Sequence, residues 1–241
     1  MLDLLPEWAQ PVADYIIHTG LRNTLIIAAI SVVLSVVVGV VLGTLLTMRF
    51  LPVQAAIRLY IEVWRGLPII VTIFLLFFGL RTATDELHLG ALNLGDPLRA
   101  SIVGLSLWGS AQIAEATRGA VQSIPREQHE AAAALGFGWV GRHVNVILPQ
   151  AFRRLLPPLV GLCVGVIQNS TLASIIGVPE VLETAQRQTN ALAVPTVDPA
   201  TLEITGGDSH AFEIYMFVFI LFFVISFPLT RLAAYLERRL V

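Results

Sequence analysis

The chain has 241 residues, 56% of them apolar and 13% charged, with a mean hydropathy of +0.77 and a formal net charge of −2. Soluble domains average about 25% charged residues, and a globular core of this size has no room for so much apolar side chain; a disordered or collagen-like chain is excluded by the same composition. All 15 basic residues are Arg, which removes Lys-dependent chemistry, from Schiff bases to the P-loop Lys, and the net charge gives no reason to expect a nucleic-acid partner.

The composition points to an all-α, polytopic membrane protein. The single Cys163 allows no internal disulfide and no Cys-based metal cluster. The N-terminus is polar and acidic (Asp3, Glu7, Asp14), unlike the basic start of a signal peptide. Leu25 to Met48 then gives 24 residues without a charge, more than the ~20 a helix needs to cross ~30 Å of hydrocarbon. Gly66 to Leu80 and Ala100 to Ala114 each give 15, or roughly 22 Å of helix, so each must continue past a charge. Gly66 and Pro68 predict a kink in the first of these two. Leu155 to Val178 gives another 24, and Ile214 to Thr230 gives 17. The expectation is five spans, near 23–48, 57–80, 98–122, 155–178 and 213–236, forming one transmembrane domain over 1–241. Trp8 and Trp64 near span ends suit interfacial anchors.

Five spans put the termini on opposite sides. The 49–65, 115–154 and 231–241 regions hold 11 Arg and 5 acids; the 1–22, 81–99 and 180–213 regions hold 4 Arg and 12 acids. Basic residues favour the cytoplasmic side, so the N-terminus is expected outside and the C-terminus in the cytoplasm. The 179–212 stretch is then a long outside loop.

The cytoplasmic loop 123–150 carries the densest signals. Pro125 suits the first turn of a helix. Glu127 and Glu130 favour its positive end, and Ala131 to Leu135 propagate it. Gly136 and Gly138 can end it in a left-handed conformation. The product is a short surface helix with a small-residue face that a partner can approach closely. From helix signals alone, a solvated connector between two spans is the leading reading.

The wording of the segment adds to this. Glu130-Ala131-Ala132, three residues, Gly136, nine residues, Val146, one residue and Leu148-Pro149 resembles the EAA signature of ABC importer permeases, with Val146 standing where Ile is usual. Three further stretches resemble the polar amino acid uptake branch: Ala114-Glu115-Ala116-Thr117-Arg118-Gly119-Ala120 running on to Ser123-Ile124-Pro125, Arg65-Gly66-Leu67-Pro68-Ile69, and Thr171-Leu172-Ala173-Ser174-Ile175-Ile176-Gly177-Val178. The likeness covers roughly residues 20–187 and 212–240.

The resemblance implies the transmembrane-domain fold of a type I ABC importer in the bacterial inner membrane, with five spans and an outside N-terminus. It implies a translocation path for polar amino acids, or related small amine-containing solutes, worked by alternating access. It makes the loop helix a coupling helix seated in a cytoplasmic ATP-binding subunit, through Glu130, Ala131, Ala132, Gly136 and Phe137. Without Lys the chain carries no standard Walker A loop. The chain is therefore expected to be no enzyme and to hold no cofactor, with ATP and Mg²⁺ on the partner. The other implied partners are an external amino-acid-binding protein, a second permease subunit and the lipid bilayer.

For the path itself the candidates are Gln168, Asn169, Ser170 and Thr171, at mid-depth in the fourth run, with Ser174 one turn on and Pro68 in the second span. Neutral polar residues also bind helices to one another, so packing stays open for them. Relatives often carry Lys-Asp where Gln168-Asn169 stand. Asn169 offers amide hydrogen bonds but no charge for a substrate ammonium, which favours pairing with a different permease subunit over a second copy of this chain. Glu115 with Arg118, and Glu62 with Arg65, have the spacing of structural or gating ion pairs. The five His (His18, His88, His129, His143, His210) show no metal-binding spacing and are expected at the surface. The alternative function is an energy-independent channel for small solutes, which would not need a loop helix of this wording.

Overall fold

A computed structural model of the chain describes residues 6–48, 50–79, 95–197, 204–205 and 207–240. Of the positions singled out above, Asp3, Leu80 and His88 lie outside the described residues.

Helix α1 (Ala9–Leu45) is continuous, with a π-helical stretch at Ile16–Leu21. Its 37 residues extend about 55 Å, beyond the thickness of a bilayer core. Ser31, Ser35, Gly39 and Gly43 recur every fourth residue, forming one buried stripe. That stripe packs on α4 (Pro97–Gln122). A Cβ on Gly39 would lie 2.7 Å from the Ile113 Cβ, and one on Gly43 would collide with the Ala114 carbonyl. Ser31 and Ser35 donate across the same seam to the Ile102 and Ser106 carbonyls, at 3.3 and 3.4 Å. Lipid offers no hydrophobic drive between helices, so close backbone approach and such hydrogen bonds supply the attraction.

Helices α2 (Leu51–Gly66) and α3 (Ile69–Gly79) meet at 106°. Pro68 causes the break. It disfavours helical backbone at the residue before it, and Leu67 is extended at φ −83°, ψ 137°. The kink expected in the second span is thus a full elbow.

Helix α4 is the hub, touched by α1, α2, α3 and α6. Asp96 caps its first turn by accepting from the Leu98 N–H at 3.4 Å, and Pro97 occupies N1, where no N–H is needed. Of its 26 residues, 13 are buried. Its surroundings are largely protein, which is why it can be polar for its length.

Pro125 leads into the short helix α5 (Arg126–Ala134). Helix α6 (Trp139–Ile176) follows, continuous through Pro157 and Pro158 and tightening to a 3₁₀ helix over Ser170–Ile176 before Gly177 at φ +82°. The 179–212 stretch, expected as a loop, begins with α7 (Val181–Leu192), which buries Val181, Thr184 and Ala185 against the first turns of α1 and the start of the last helix. A two-residue ladder, β1 (Thr196–Val197) with β2 (Ile204–Thr205), follows. The last helix, α8 (Ala211–Leu240), lies along α6.

By length and composition α1, α6 and α8 can each cross a membrane, and α2 with α3 adds a fourth crossing if the bent pair is one span.

Candidate functional site

The loop helix α5 is built by its ends. Pro125 enters it in extended conformation (φ −56°, ψ 145°), and Glu127 sits in its first turn. Gly136 takes φ +83°. The Gly136 N–H donates to the Ala133 carbonyl at 2.9 Å and the Phe137 N–H to the Ala132 carbonyl at 3.1 Å. These two bonds are the pair that closes a Schellman motif. Gly138, the other expected terminator, is not left-handed (φ −62°) and instead leads into α6.

Ala132 faces inward and is buried, while Glu130, Ala131 and Gly136 are exposed. Leu135 is 78% exposed and Phe137 39% exposed, so two apolar side chains stand at the tip of the loop. Sequence reasoning had named Phe137 but not Leu135. The helix is tied to the bundle from behind. Gln150 of α6 donates to the Gln128 side chain of α5 at 3.4 Å, and just ahead of the helix Arg154 donates to the Ser123 carbonyl, the cap of α4, at 2.5 Å. His143, expected at the surface, is 3% exposed. It stacks on Trp139 with ring centroids 4.1 Å apart, and its Nε2 lies 3.1 Å from the Thr47 hydroxyl.

The polar run in α6 is dispersed by the helix. Ser170 is buried and its hydroxyl donates to the Ile167 carbonyl at 2.7 Å. Thr171 donates to the Gln168 carbonyl at 2.9 Å, and Ser174 to the Thr171 carbonyl at 2.7 Å. Local acceptors thus take up all three hydroxyls. The Gln168 and Asn169 amides have no hydrogen-bond partner among the described residues. Gln168 opens onto a groove of about 390 Å³ against Phe219, Phe223 and Ser226 of α8. Pro68 is not brought to these residues; it sits exposed at the elbow, and the α3 residues beyond it, Ile69 and Ile73, pack on Leu172 and Ala173.

The four charged candidates do converge. Glu62, Arg65, Glu115 and Arg118 line one cavity of about 260 Å³ between α2 and α4, joined by Arg58, which sequence reasoning missed. Glu115 and Arg118 form a two-point pair at 3.0 and 2.5 Å. Glu62 and Arg65 do not pair; the Arg65 Nε donates to the Gln112 side chain at 3.1 Å.

At the other end of the bundle Glu180 is fully buried. Its two oxygens accept from the Leu182 and Glu183 N–H groups at 2.9 and 2.8 Å, capping α7. The Asn23 amide donates to the Pro179 carbonyl at 2.9 Å, and the Val181 N–H to the Thr24 hydroxyl at 3.1 Å, clamping α7 to α1. Burial pushes the Glu180 carboxyl from 4.5 up to about 7, against the pull of its backbone donors.

The family model described as "Binding-protein-dependent transport system inner membrane component" matches residues 35–241. The chain belongs to this family. It is 35% identical over 181 residues to the glutamine transport system permease protein GlnP of Escherichia coli (strain K12), covering 75% of this chain and 73% of that one. It is 33% identical over 187 residues to the E. coli (strain K12) inner membrane amino-acid ABC transporter permease protein YhdY, covering 75% of this chain and 44% of that longer one. Among solved structures, an amino acid ABC transporter crystallised with histidines superposes with a TM-score of 0.77 at 25% identity, covering 98% of this chain and all of that one. An inward-facing form of the MetNI methionine ABC transporter superposes at 0.68 and 17% identity, over 96% and 99% of the two chains, and shows the fold alone. The fold is the membrane-spanning helical domain of a type I ABC importer, and this permease is an inner-membrane protein.

Proposed function

We propose that this permease is the transmembrane subunit of an ATP-driven importer for polar amino acids, that α5 is its coupling helix, and that Glu130, Ala131, Ala132, Gly136 and Phe137 seat it in a separate ATP-binding subunit. ATP and Mg²⁺ bind that partner; this chain moves in response. The observation that carries the reading is the form of α5: a nine-residue helix with an exposed outer face, anchored from behind and stopped by a left-handed glycine. A helix held in this way transmits a partner's movement to α4 and α6 as a near-rigid body.

In this reading α2 and α3 make one broken span, α4 is a span sheltered by its neighbours, and the end carrying α5 is cytoplasmic. The five spans are then α1, the α2–α3 pair, α4, α6 and α8, with the N-terminus outside. The distribution of Arg supports it. The 260 Å³ cavity lined by Glu62, Arg65, Glu115 and Arg118 lies on the cytoplasmic side of the path, where its charges gate rather than bind. The unpartnered amides of Gln168 and Asn169, with Ser170, Thr171 and Ser174 beside them, mark the path at mid-depth, and Pro68 stands apart from them at the elbow. An amino-acid-binding protein delivers substrate from outside, and a second, related permease subunit completes the path.

The test is reconstitution in liposomes with the ATP-binding subunit, the partner permease and a binding protein. Uptake of labelled glutamine, histidine and arginine is measured with and without internal ATP. The proposal expects uptake of at least one of them that requires both ATP and the binding protein. Solute flux that persists without ATP would identify a channel instead.

A further inference from the structure

A larger cavity, about 850 Å³ in volume, opens at the α5 end of the bundle between the end of α1, the start of α2, the last turn of α4, α5 and the start of α6. Arg58, Arg126 and Arg142 line it, with His129 and His143, against one acid in its lining, Glu130. None of the three Arg forms an ion pair with a described carboxylate. Three guanidinium and two imidazole groups against the single Glu130 carboxylate give this recess an excess of cationic donors that suits an anion. Burial, and after it the neighbouring Arg142, push His129 below its ordinary range. One rim is apolar instead: Leu46, Met48 and Phe50 line it, and Phe50 is exposed.

We propose that this cavity binds a phosphate-bearing anion, either the head group of an anionic phospholipid or free phosphate, through Arg58, Arg126 and Arg142. The guanidinium fork matches phosphate oxygens two at a time. Basic recesses between membrane helices on the cytoplasmic side hold lipid head groups, and the apolar rim gives acyl chains a way out. The lipid source rests on the cytoplasmic placement of α5 proposed above; the binding of an anion does not.

The test uses the full chain without its ATP-binding subunit, so a failure of coupling cannot affect it. Nanodiscs of phosphatidylcholine with or without phosphatidylglycerol are analysed by native mass spectrometry for retained lipid. Inorganic phosphate is titrated into the phosphatidylcholine discs by calorimetry. Retention of phosphatidylglycerol over phosphatidylcholine by roughly tenfold supports a lipid ligand, and saturable phosphate binding without that preference supports a free one. In either case Arg142→Gln and Arg126→Gln should weaken binding about tenfold, while Arg153→Gln, at the exposed Arg153, should not. Arg58→Gln, on another helix, is the second variant if α6 starts to misfold in the first. Equal retention of the two lipids with no phosphate binding would overturn the proposal. So would binding unchanged in an Arg126→Gln/Arg142→Gln double variant.

Discussion

Glu180 has no exposed surface, yet it must serve as an N-cap. A carboxyl raised from 4.5 to about 7 binds more protons folded than unfolded. Its favourable contribution is full below about pH 4.5 and is lost as pH rises through about 7. The displacement corresponds to roughly 3 kcal/mol. The thermal midpoint of the purified chain in detergent should therefore fall between pH 5 and pH 8, and Glu180→Gln should flatten most of that fall. An unchanged slope in the variant would contradict it. Gly136 is different in kind: its Cβ position is open space, so only its φ of +83° restricts it. Asn tolerates that backbone and a β-branched residue does not. Gly136→Val should cost about 1–2 kcal/mol locally and reduce co-purification of the ATP-binding subunit, whereas Gly136→Asn should keep most of it. The left-handed glycine was legible in the sequence because its cause is local. Glu180 was not, because its burial depends on Thr24 and Asn23, more than 150 residues away.

Among elements, the α1–α4 seam is the tightest. Ser31, Ser35, Gly39 and Gly43 let the two backbones meet, and the Gly39 position has no room for even a Cβ. Gly39→Leu should force the helices apart, at a cost of about 3 kcal/mol or more; limited proteolysis of the purified variant should show faster cleavage than the wild type. The four-residue spacing of that stripe was in the sequence, within a run read only for its lack of charge. Hydropathy found α1, α6 and α8 because each is long and apolar enough to cross a membrane. It undersold α4, whose polar residues are sheltered by protein, and it missed the elbow's size at Pro68 because a kink's angle depends on what each arm packs against. Helix α7 was hidden by its Glu183–Arg187 pair, which reads as loop polarity. The Glu115–Arg118 pair was legible from spacing; the Glu62–Arg65 pair had the same spacing, but Gln112 of another helix took Arg65.

At the scale of the whole molecule, α2 and α3 decide the topology. If the bent pair crosses the bilayer once and α4 once, the termini lie on opposite sides. With Cys163 replaced by Ala, Glu7→Cys should react with an impermeant maleimide from outside whole cells, and Arg239→Cys only after permeabilisation. Labelling of both from one side would mean that an element turns back without crossing. Cysteine cross-linking at Leu135 asks whether α5 seats in an ATP-binding subunit. In the Cys163→Ala background, Leu135→Cys should cross-link to a cysteine in the groove of the co-expressed ATP-binding subunit, with a yield that changes on adding ATP, while Gln168→Cys in the bundle should not. No cross-link from Leu135→Cys in a complex that nonetheless co-purifies would contradict it.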